Sequence, residues 1–500
     1  MQEPCGGGPA WLLLRRAHDD GGRTGNCSWG LIKKGTDMKT TVFSRRRFLA
    51  GTGALLAAPM VLPSGCVYYP GGYRRRPSPS SCVNVGILGY GTMAQDNIGN
   101  FLNNDRVRVV SVCDVVSEGP YYGYKAERVG GREPGRRKVN AFYAQKLGKS
   151  DYNGCKVFSD FREMLQDRDL DAVCISTPDH WHALHTVWAA KAGKHIYGQK
   201  PLALTVREGR AMVNAVHKSG ITFQTGAQSR SNDYFRMACE FVRNGRIGRL
   251  QRVEVGLNKG YGTFGKTPDQ LSETPQDTPP YLDLDLWLGP APARRYTPKI
   301  HLPMEWRYNL DYSCGMLTDF AAHQLDIMQW ALNKDGIAPV AIENIRGRLP
   351  PMSETWNTIG VPFSFEIVYG DGTRVFVSSE YKYGCRFIGE GGKEIYVTNG
   401  RLETVPDSLR REKIRDDEIK LIRSGQQEKN FIENVYSGGK NISPVEAGFS
   451  AITPAVLAHI GMRLERPNLK WDAAHDRFVN DAEADLLLSR EMRAPWTLDV

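Results

Sequence analysis

Lys200, Asp319 and His323 are the residues of this 500-residue chain best equipped to handle a proton. An ammonium group can hydrogen-bond a reacting oxygen and stabilise alkoxide character. An imidazole titrates near neutral pH and suits a general base. Asp319 and His323 lie four residues apart in GMLTDFAAHQLDIMQWAL, residues 315–332, where Met316, Phe320, Ile327 and Trp330 recur at helical spacing. The acid and the imidazole therefore share one helical face. Taken alone, the pair reads as a surface ion pair. An Asp-His pair within an apolar helix, joined by a lysine at a strand end, reads as chemistry, with Asp319 orienting the imidazole or binding a neighbouring hydroxyl. Lys200 has that position, in Gln199-Lys200-Pro201 after the strand-like HIYG.

A lysine at a strand end needs a sheet to hold it there. From Val83 the chain alternates strand-like and helix-like segments. The run Val83–Leu88 ends in Gly89-Tyr90-Gly91-Thr92-Met93-Ala94, matching G-x-G-x-x-[G/A]. In this pattern Gly89 permits the tight turn, Gly91 lets a pyrophosphate approach the backbone, and Ala94 allows a helix to pack closely. A helix from Thr92 would point its free N–H groups at phosphates. The next strand, Val107–Cys113, ends at Asp114, 25 positions after Gly89. A ribose-binding carboxylate belongs there, and it favours NAD over NADP by repelling a 2′-phosphate; the plainer reading is a strand-end acid capping a loop.

KVFSD, DAVCIS, HIYG and ITFQTG continue the strands, with helices at FREMLQ, 180–191 (capped by Asp179) and 205–218. This rhythm predicts an α/β, Rossmann-type doubly wound parallel sheet over residues 83–230. Gly89, Asp114, Ser176-Thr177 and Lys200 all fall at carboxyl ends of strands, where open α/β sheets bind ligands. Pro178, His180, His182, Pro201 and Gln228 join the candidate cofactor set. No acidic ligand spacing accompanies His180, His182 and His185, so a helix start facing the crevice is expected there and no metal site.

After Ser231 the character changes. Helix DYFRMACEFVRNG leads into longer alternating strands, LQRVEVGL, FSFEIVYG, RVFVSSEYKYG and KEIYVTNGRLE, and Asp371-Gly372 makes a hairpin turn. Residues 231–500 therefore read as an α+β domain for substrate and oligomerisation, with a large, mostly antiparallel open sheet.

The N-terminus carries an address. Ser44-Arg45-Arg46-Arg47-Phe48-Leu49 fits a twin-arginine signal, and the apolar run to Pro63 is too short, and too rich in Gly and Pro, to span a bilayer. The signal is placed at 44–66 within a leader of residues 1–66. Met38 is the expected start, and residues 67–82 read as a flexible spacer. Cys66, after Leu-Pro-Ser-Gly, resembles a lipoprotein site whose leucine stands one place early; the unanchored reading is preferred. An exported location, periplasmic or equivalent, follows. Residues 1–80 hold twelve Lys/Arg against four Asp/Glu, so the body carries about +2 of the +10 net charge. That balance offers no long basic face for nucleic acid. The ten cysteines include no C-x-x-C pair, and no essential disulfide is expected.

From Val83 onward the chain resembles the glucose–fructose oxidoreductase / inositol dehydrogenase family, Gfo/Idh/MocA. Gln199-Lys200-Pro201 stands where that family has Glu-Lys-Pro, Asp319 and His323 match its Asp-x-x-x-His helix, Thr177-Pro178-Asp179-His180-Trp181-His182 resembles its nucleotide-side loop, and Trp306-Arg307 a recurrent pair. The resemblance implies an NAD(P)-dependent enzyme acting on a sugar, polyol or glycoside CH–OH, with Lys200, Asp319 and His323 catalytic. It also implies a homodimer or homotetramer. Trp306, Arg307 and Tyr281 are candidate sugar contacts. Two alternatives stay open: a glycosidase using transient oxidation and elimination, and a catalytically silent sugar-binding protein, which the Gln199 departure permits.

Overall fold

A computed structural model describes residues 81–258, 274–301, 303, 305–347 and 362–499, with the backbone of 66–69 and 72–75. The chain divides into two compact units, Met1–Pro63 and Ser64–Val500, and every described residue lies in the second. The twin-arginine segment and the Met38 start lie outside the described residues. Cys66–Tyr69 pairs with Gly72–Arg75 as an antiparallel hairpin at the start of the stretch read as a spacer.

The first sheet has six parallel strands: β1 (Val83–Leu88), β2 (Val107–Cys113), β3 (Lys156–Phe158), β4 (Ala172–Ile175), β5 (His195–Gln199) and β6 (Phe223–Gly226). Their spatial order is 3-2-1-4-5-6, the doubly wound dinucleotide-binding order, whose switch point lies between β1 and β4. β4 is buried at every position, which is why DAVCIS reads as a continuous apolar run. Helix α1 (Thr92–Leu102) follows the glycine loop, α2 is Arg132–Leu147, and α3 (Phe161–Leu165) follows β3. Helix α4 (Asp179–Lys191) follows β4 and α5 (Val206–Ser219) follows β5. A capping box fixes the start of α5: Thr205 Oγ1 accepts the Glu208 N–H, and the Glu208 carboxylate accepts the Thr205 N–H.

After α6 (Asp233–Arg243), a nine-stranded sheet runs through β7 (Leu250–Gly256), β8 (Ala341–Arg346), β9 (Ser364–Val368), β10 (Arg374–Ser378), β11 (Gly384–Gly389), β12 (Glu394–Thr398), β13 (Arg401–Val405), β14 (Leu469–Asp472) and β15 (Arg477–Phe478). Its order is 13-12-11-7-10-9-8-14-15, antiparallel except where β7 meets β10. KEIYVTNGRLE, expected as one strand, is two: Asn399-Gly400 turns the chain, with Gly400 at φ +71°, a hairpin signal in its own right.

Helix α7 (Gly315–Leu332) spans the residues the spacing predicts. It is enclosed almost all round: Leu317, Leu325, Ile327 and Met328 are fully buried, each such side chain contributing roughly 1.5–3 kcal/mol. The surface-ion-pair reading of Asp319 and His323 is thereby excluded. Helix α8 (Gln427–Ser437), though late in sequence, packs Phe431, Ile432 and Val435 into the core beneath the first sheet. Among the described residues one helix, α9 (Val445–Arg463), is long and apolar enough to cross a membrane, and it is buried inside the fold. The described cysteines are free thiols.

Candidate active site

The carboxyl ends of the parallel strands open onto a cleft. Gly89, Gly91, Thr92, Met93, Asp114, Ser176, Thr177, Pro178 and Lys200 all line it, as do Trp306 and Arg307. Gly89 is held at φ +85°, and a Cβ there would come within 3.0 Å of the Ser176 carbonyl; both facts require glycine. Gly91 has an additional reason for being glycine. A Cβ on it would meet the Tyr122 ring at 3.3 Å, so close approach at this position serves a neighbouring side chain as well as any pyrophosphate. Helix α1 starts at Thr92 without a side-chain cap, leaving its positive end and first-turn N–H groups for an anion. Tyr90 and Ala94 are buried in the core and do not line the cleft.

Asp114 Oδ2 accepts the Tyr90 N–H at 2.7 Å and Oδ1 the Val116 N–H at 2.8 Å. The carboxylate thus braces the glycine loop and keeps lone pairs for ribose hydroxyls. Burial pushes its pKa up to about 6, against the two backbone hydrogen bonds and the Arg132 charge.

Lys200 Nζ stands 2.5 Å from Asp319 Oδ1, and Arg307 Nε 3.7 Å from Oδ2. The lysine side chain is 12% exposed and the aspartate 3%, so water screens the pair little. Arg307 lies over the Trp306 ring, 4.2 Å from its centroid. His323 sits one turn beyond Asp319 on α7, mostly buried. An imidazole titrating near neutrality was expected; burial and the Lys200 charge instead bring it down to about 3, with Asp319 opposing. The ring is a neutral acceptor throughout the physiological range. Asp319, expected to orient that ring, is placed between two cations.

Asp179 does not cap α4. Pro178 holds the N-cap position and Asp179 is the first helical residue. Its Oδ2 accepts from Ser313 Oγ at 2.8 Å, and Ser313 Oγ accepts the Gly315 N–H at 3.0 Å. This chain ties the β4–α4 corner to the first turn of the Asp319 helix. Burial, then the Asp319 charge, push Asp179 up to about 7.

Other candidates sit elsewhere. His180 Nε2 contacts the Trp287 carbonyl at 3.0 Å; His182 contacts the carbonyls of Pro201 and Thr177 at 2.7 and 2.9 Å. Both are buried and neither lines the cleft, whereas His185, stacked on Trp181, does. Burial lowers the pKa of all three. Among the described residues no His/Cys/Asp/Glu group could hold a metal ion. Pro201 is buried and does not line the cleft, and Gln228 Nε2 donates to Gln199 Oε1 at 3.3 Å. Tyr281 faces Gly119 rather than the cleft. Unforeseen residues take their places: Ser159, Asp160 and Phe161 after β3, and Tyr122 and Tyr124. The aromatic run GPYYGY just after Asp114 was the available signal. Gln199 lines the cleft with a buried Nε2 that has no partner. That orphaned donor and the uncapped end of α1 are groups a dinucleotide would satisfy.

Two family profiles divide this molecule. The "Oxidoreductase family, NAD-binding Rossmann fold" matches residues 83–227, and the "Oxidoreductase family, C-terminal alpha/beta domain" matches residues 235–498. The chain belongs to the GFO/IDH/MocA oxidoreductase family. Its Rossmann domain is an NAD-binding one. Within GFO/IDH/MocA, levoglucosan dehydrogenase of Pseudarthrobacter phenanthrenivorans is 39% identical over 18% of this chain and 24% of its own length. Inositol 2-dehydrogenase of Salmonella typhimurium (strain LT2) is 23% identical over 62% of this chain and 72% of its own. Three curated matches are short: the chain spans 24% to 46% of the length of those relatives. The WlbA dehydrogenase from Bordetella pertussis, solved with NADH and UDP-GlcNAcA, has the same fold. Its TM-score is 0.52 at 16% identity, covering 78% of this chain and 99% of that one.

Proposed function

We propose that this GFO/IDH/MocA protein oxidises a hydroxyl of a sugar, polyol or glycoside, and does so after export through the twin-arginine route with NAD already bound. One observation carries the chemistry: the glycine loop, Asp114, and the Lys200–Asp319 pair open onto one cleft or adjoin it. Gly89, Gly91, Asp114 and the start of α1 would hold the dinucleotide, with Ser176 and Thr177 at the switch point. When bound, NAD supplies a hydride acceptor.

This chain's residues handle the oxygen and the proton. Lys200 donates a hydrogen bond to the reacting oxygen and favours its alkoxide character. His323, neutral, accepts the hydroxyl proton; Asp319, one turn away, offsets the imidazolium formed beside the Lys200 ammonium. Arg307 and the Trp306 ring flank the place where a sugar C–H face would lie.

Export motivates the retained cofactor. The twin-arginine route moves folded proteins, and outside the cytoplasm no dinucleotide pool replaces one that is lost. A second, carbonyl-bearing substrate would then close the cycle. Mass spectrometry of the small molecules released on denaturing natively purified protein tests this, together with oxidation assays on sugars and a nitrophenyl glycoside. NAD or NADH in near one-to-one ratio, with sugar oxidation, is expected. Protein that emerges empty and is fully active only with added NAD overturns retention. Glycoside cleavage without net redox change assigns the elimination chemistry instead.

A further inference from the structure

Between Asp114 and α2 the chain makes an antiparallel hairpin, Gly119–Tyr122 with Arg128–Gly130, that the proposed chemistry does not use. Its root is fixed: Val116 bridges Leu282, the Arg132 N–H donates to the Val116 carbonyl at 2.9 Å, and the Gly131 N–H to the Tyr90 carbonyl at 3.1 Å. The rest is stitched along the nucleotide loop and α1. The Gly123 N–H donates to Thr92 Oγ1 at 2.9 Å, the Tyr124 hydroxyl to Met93 Sδ at 3.6 Å, and Gln95 Nε2 to the Val129 carbonyl at 3.0 Å. Arg128 pairs with Asp96 at 2.6 Å.

The Tyr122 ring is wedged between two glycines. A Cβ on Gly130 would fall 2.6 Å from it, and one on Gly91 3.3 Å. Tyr122 and Tyr124 both line the cleft; Tyr124 is 55% exposed and feels the charges of Arg307 and Asp319. The hairpin therefore follows Asp114 and the glycine loop and brings Tyr122 and Tyr124 to the cleft that Lys200 and Arg307 also line. A dinucleotide reaching from Asp114 to Lys200 would share that cleft with both rings.

We infer that this hairpin is a cofactor strap, whose Tyr122 and Tyr124 rings contact the bound dinucleotide between its pyrophosphate and its nicotinamide and set how slowly it leaves. Tyrosine suits the task, giving large contact area with only two side-chain torsions to order. The inference rests on the NAD-binding reading and supplies a physical basis for retention.

The test is the dissociation rate of NADH from the full chain, followed by nicotinamide fluorescence on mixing with excess NAD, for wild type, Tyr122→Ala, Tyr124→Ala and the double variant. Circular dichroism and thermal melts establish folding. Removing either ring should speed release about tenfold, and removing both should speed it further. Unchanged release in the folded variants overturns the strap. If Tyr122→Ala does not fold, the half-exposed Tyr124 carries the test alone. Retention is read separately: wild type purified without cofactor refutes retention, while the strap is still judged on release of added NADH.

Discussion

Lys200 Nζ and Asp319 Oδ1 meet at 2.5 Å although they stand 119 positions apart, one at the end of a parallel strand and the other in the first turns of a buried helix. Asp319 also faces Arg307 at 3.7 Å. One carboxylate thus serves two cations that the fold crowds together. Asp319→Asn keeps the shape and removes the charge. We expect kcat for sugar oxidation to fall by about 10²-fold or more, with NADH affinity changed little, as read by steady-state kinetics beside a fluorescence titration. An unaltered kcat would deny the Lys200–Asp319 pair any part in turnover.

His323 should remain uncharged well below the usual histidine range, because burial and the Lys200 ammonium hold it near 3. Nitrogen-15 spectra of labelled histidine would show its ring unprotonated at about pH 5, where an ordinary imidazole is charged. The consequence for stability has a definite sign. On acidification the unfolded chain takes up this proton first, so stability is present above about 6.5 and is lost as pH falls toward 3. His323→Gln should therefore melt less steeply with acid than wild type; equal acid sensitivity would count against a depressed pKa.

Arg230 is 1% exposed and holds Asp326 and Asp335 in two paired contacts, at 2.7–2.8 Å, while donating to the Ile442 carbonyl. The node joins the end of the Rossmann sheet to α7 and to the segment before α9. Arg230→Ala leaves the buried Asp326 carboxylate uncompensated and Asp335 without its arginine, and should cost about 3–5 kcal/mol in denaturant unfolding. Arg230→Lys should recover little, since a lysine lacks the planar fork. Full stability of either variant would show the network to be dispensable.

The Rossmann half was legible because strands buried on both faces read as apolar runs, and each stops at a residue that ends it: Gly89, Asp114, Lys200. Helix 315–332 was legible to the residue, being bounded by Gly315 and by Asn333 in the left-handed region at φ +56°. Elsewhere the local signals conflict. Asn399-Gly400 lies within an unbroken β-favouring run, and α9 is apolar on every side, so it shows no periodicity to read. Lys200's place at the cleft followed from strand-end logic, whereas its joining with Asp319 rested on the Asp-x-x-x-His helix and the family resemblance. The burial that neutralises His323 could not be inferred, because one-dimensional spacing says nothing about what closes over a side chain. His180 and His182 show the same limit: at a helix start three histidines share a motif, and only packing decides that His185 faces the cleft.

Asp179 offers a stability test free of catalytic assumptions. Its carboxyl is buried, accepts from Ser313 at 2.8 Å, and is pushed to about 7 by burial and the nearby Asp319 charge. An unfolded aspartate titrates near 3.9. Between those values the native state holds a proton that the unfolded state has released, so stability falls as pH rises, with slope set by that difference. The loss begins near pH 4 and is complete just above 7. Asp179→Asn preserves an oxygen acceptor for Ser313 and cannot ionise. The variant should therefore melt near the wild-type temperature at about pH 4.5 and clearly above it at about pH 8. A variant that loses stability equally at both values would show that Asp179 is ionised in the native state, held by Lys200 and Arg307, and that the link to Gly315 at the head of the Asp319 helix depends on its charge.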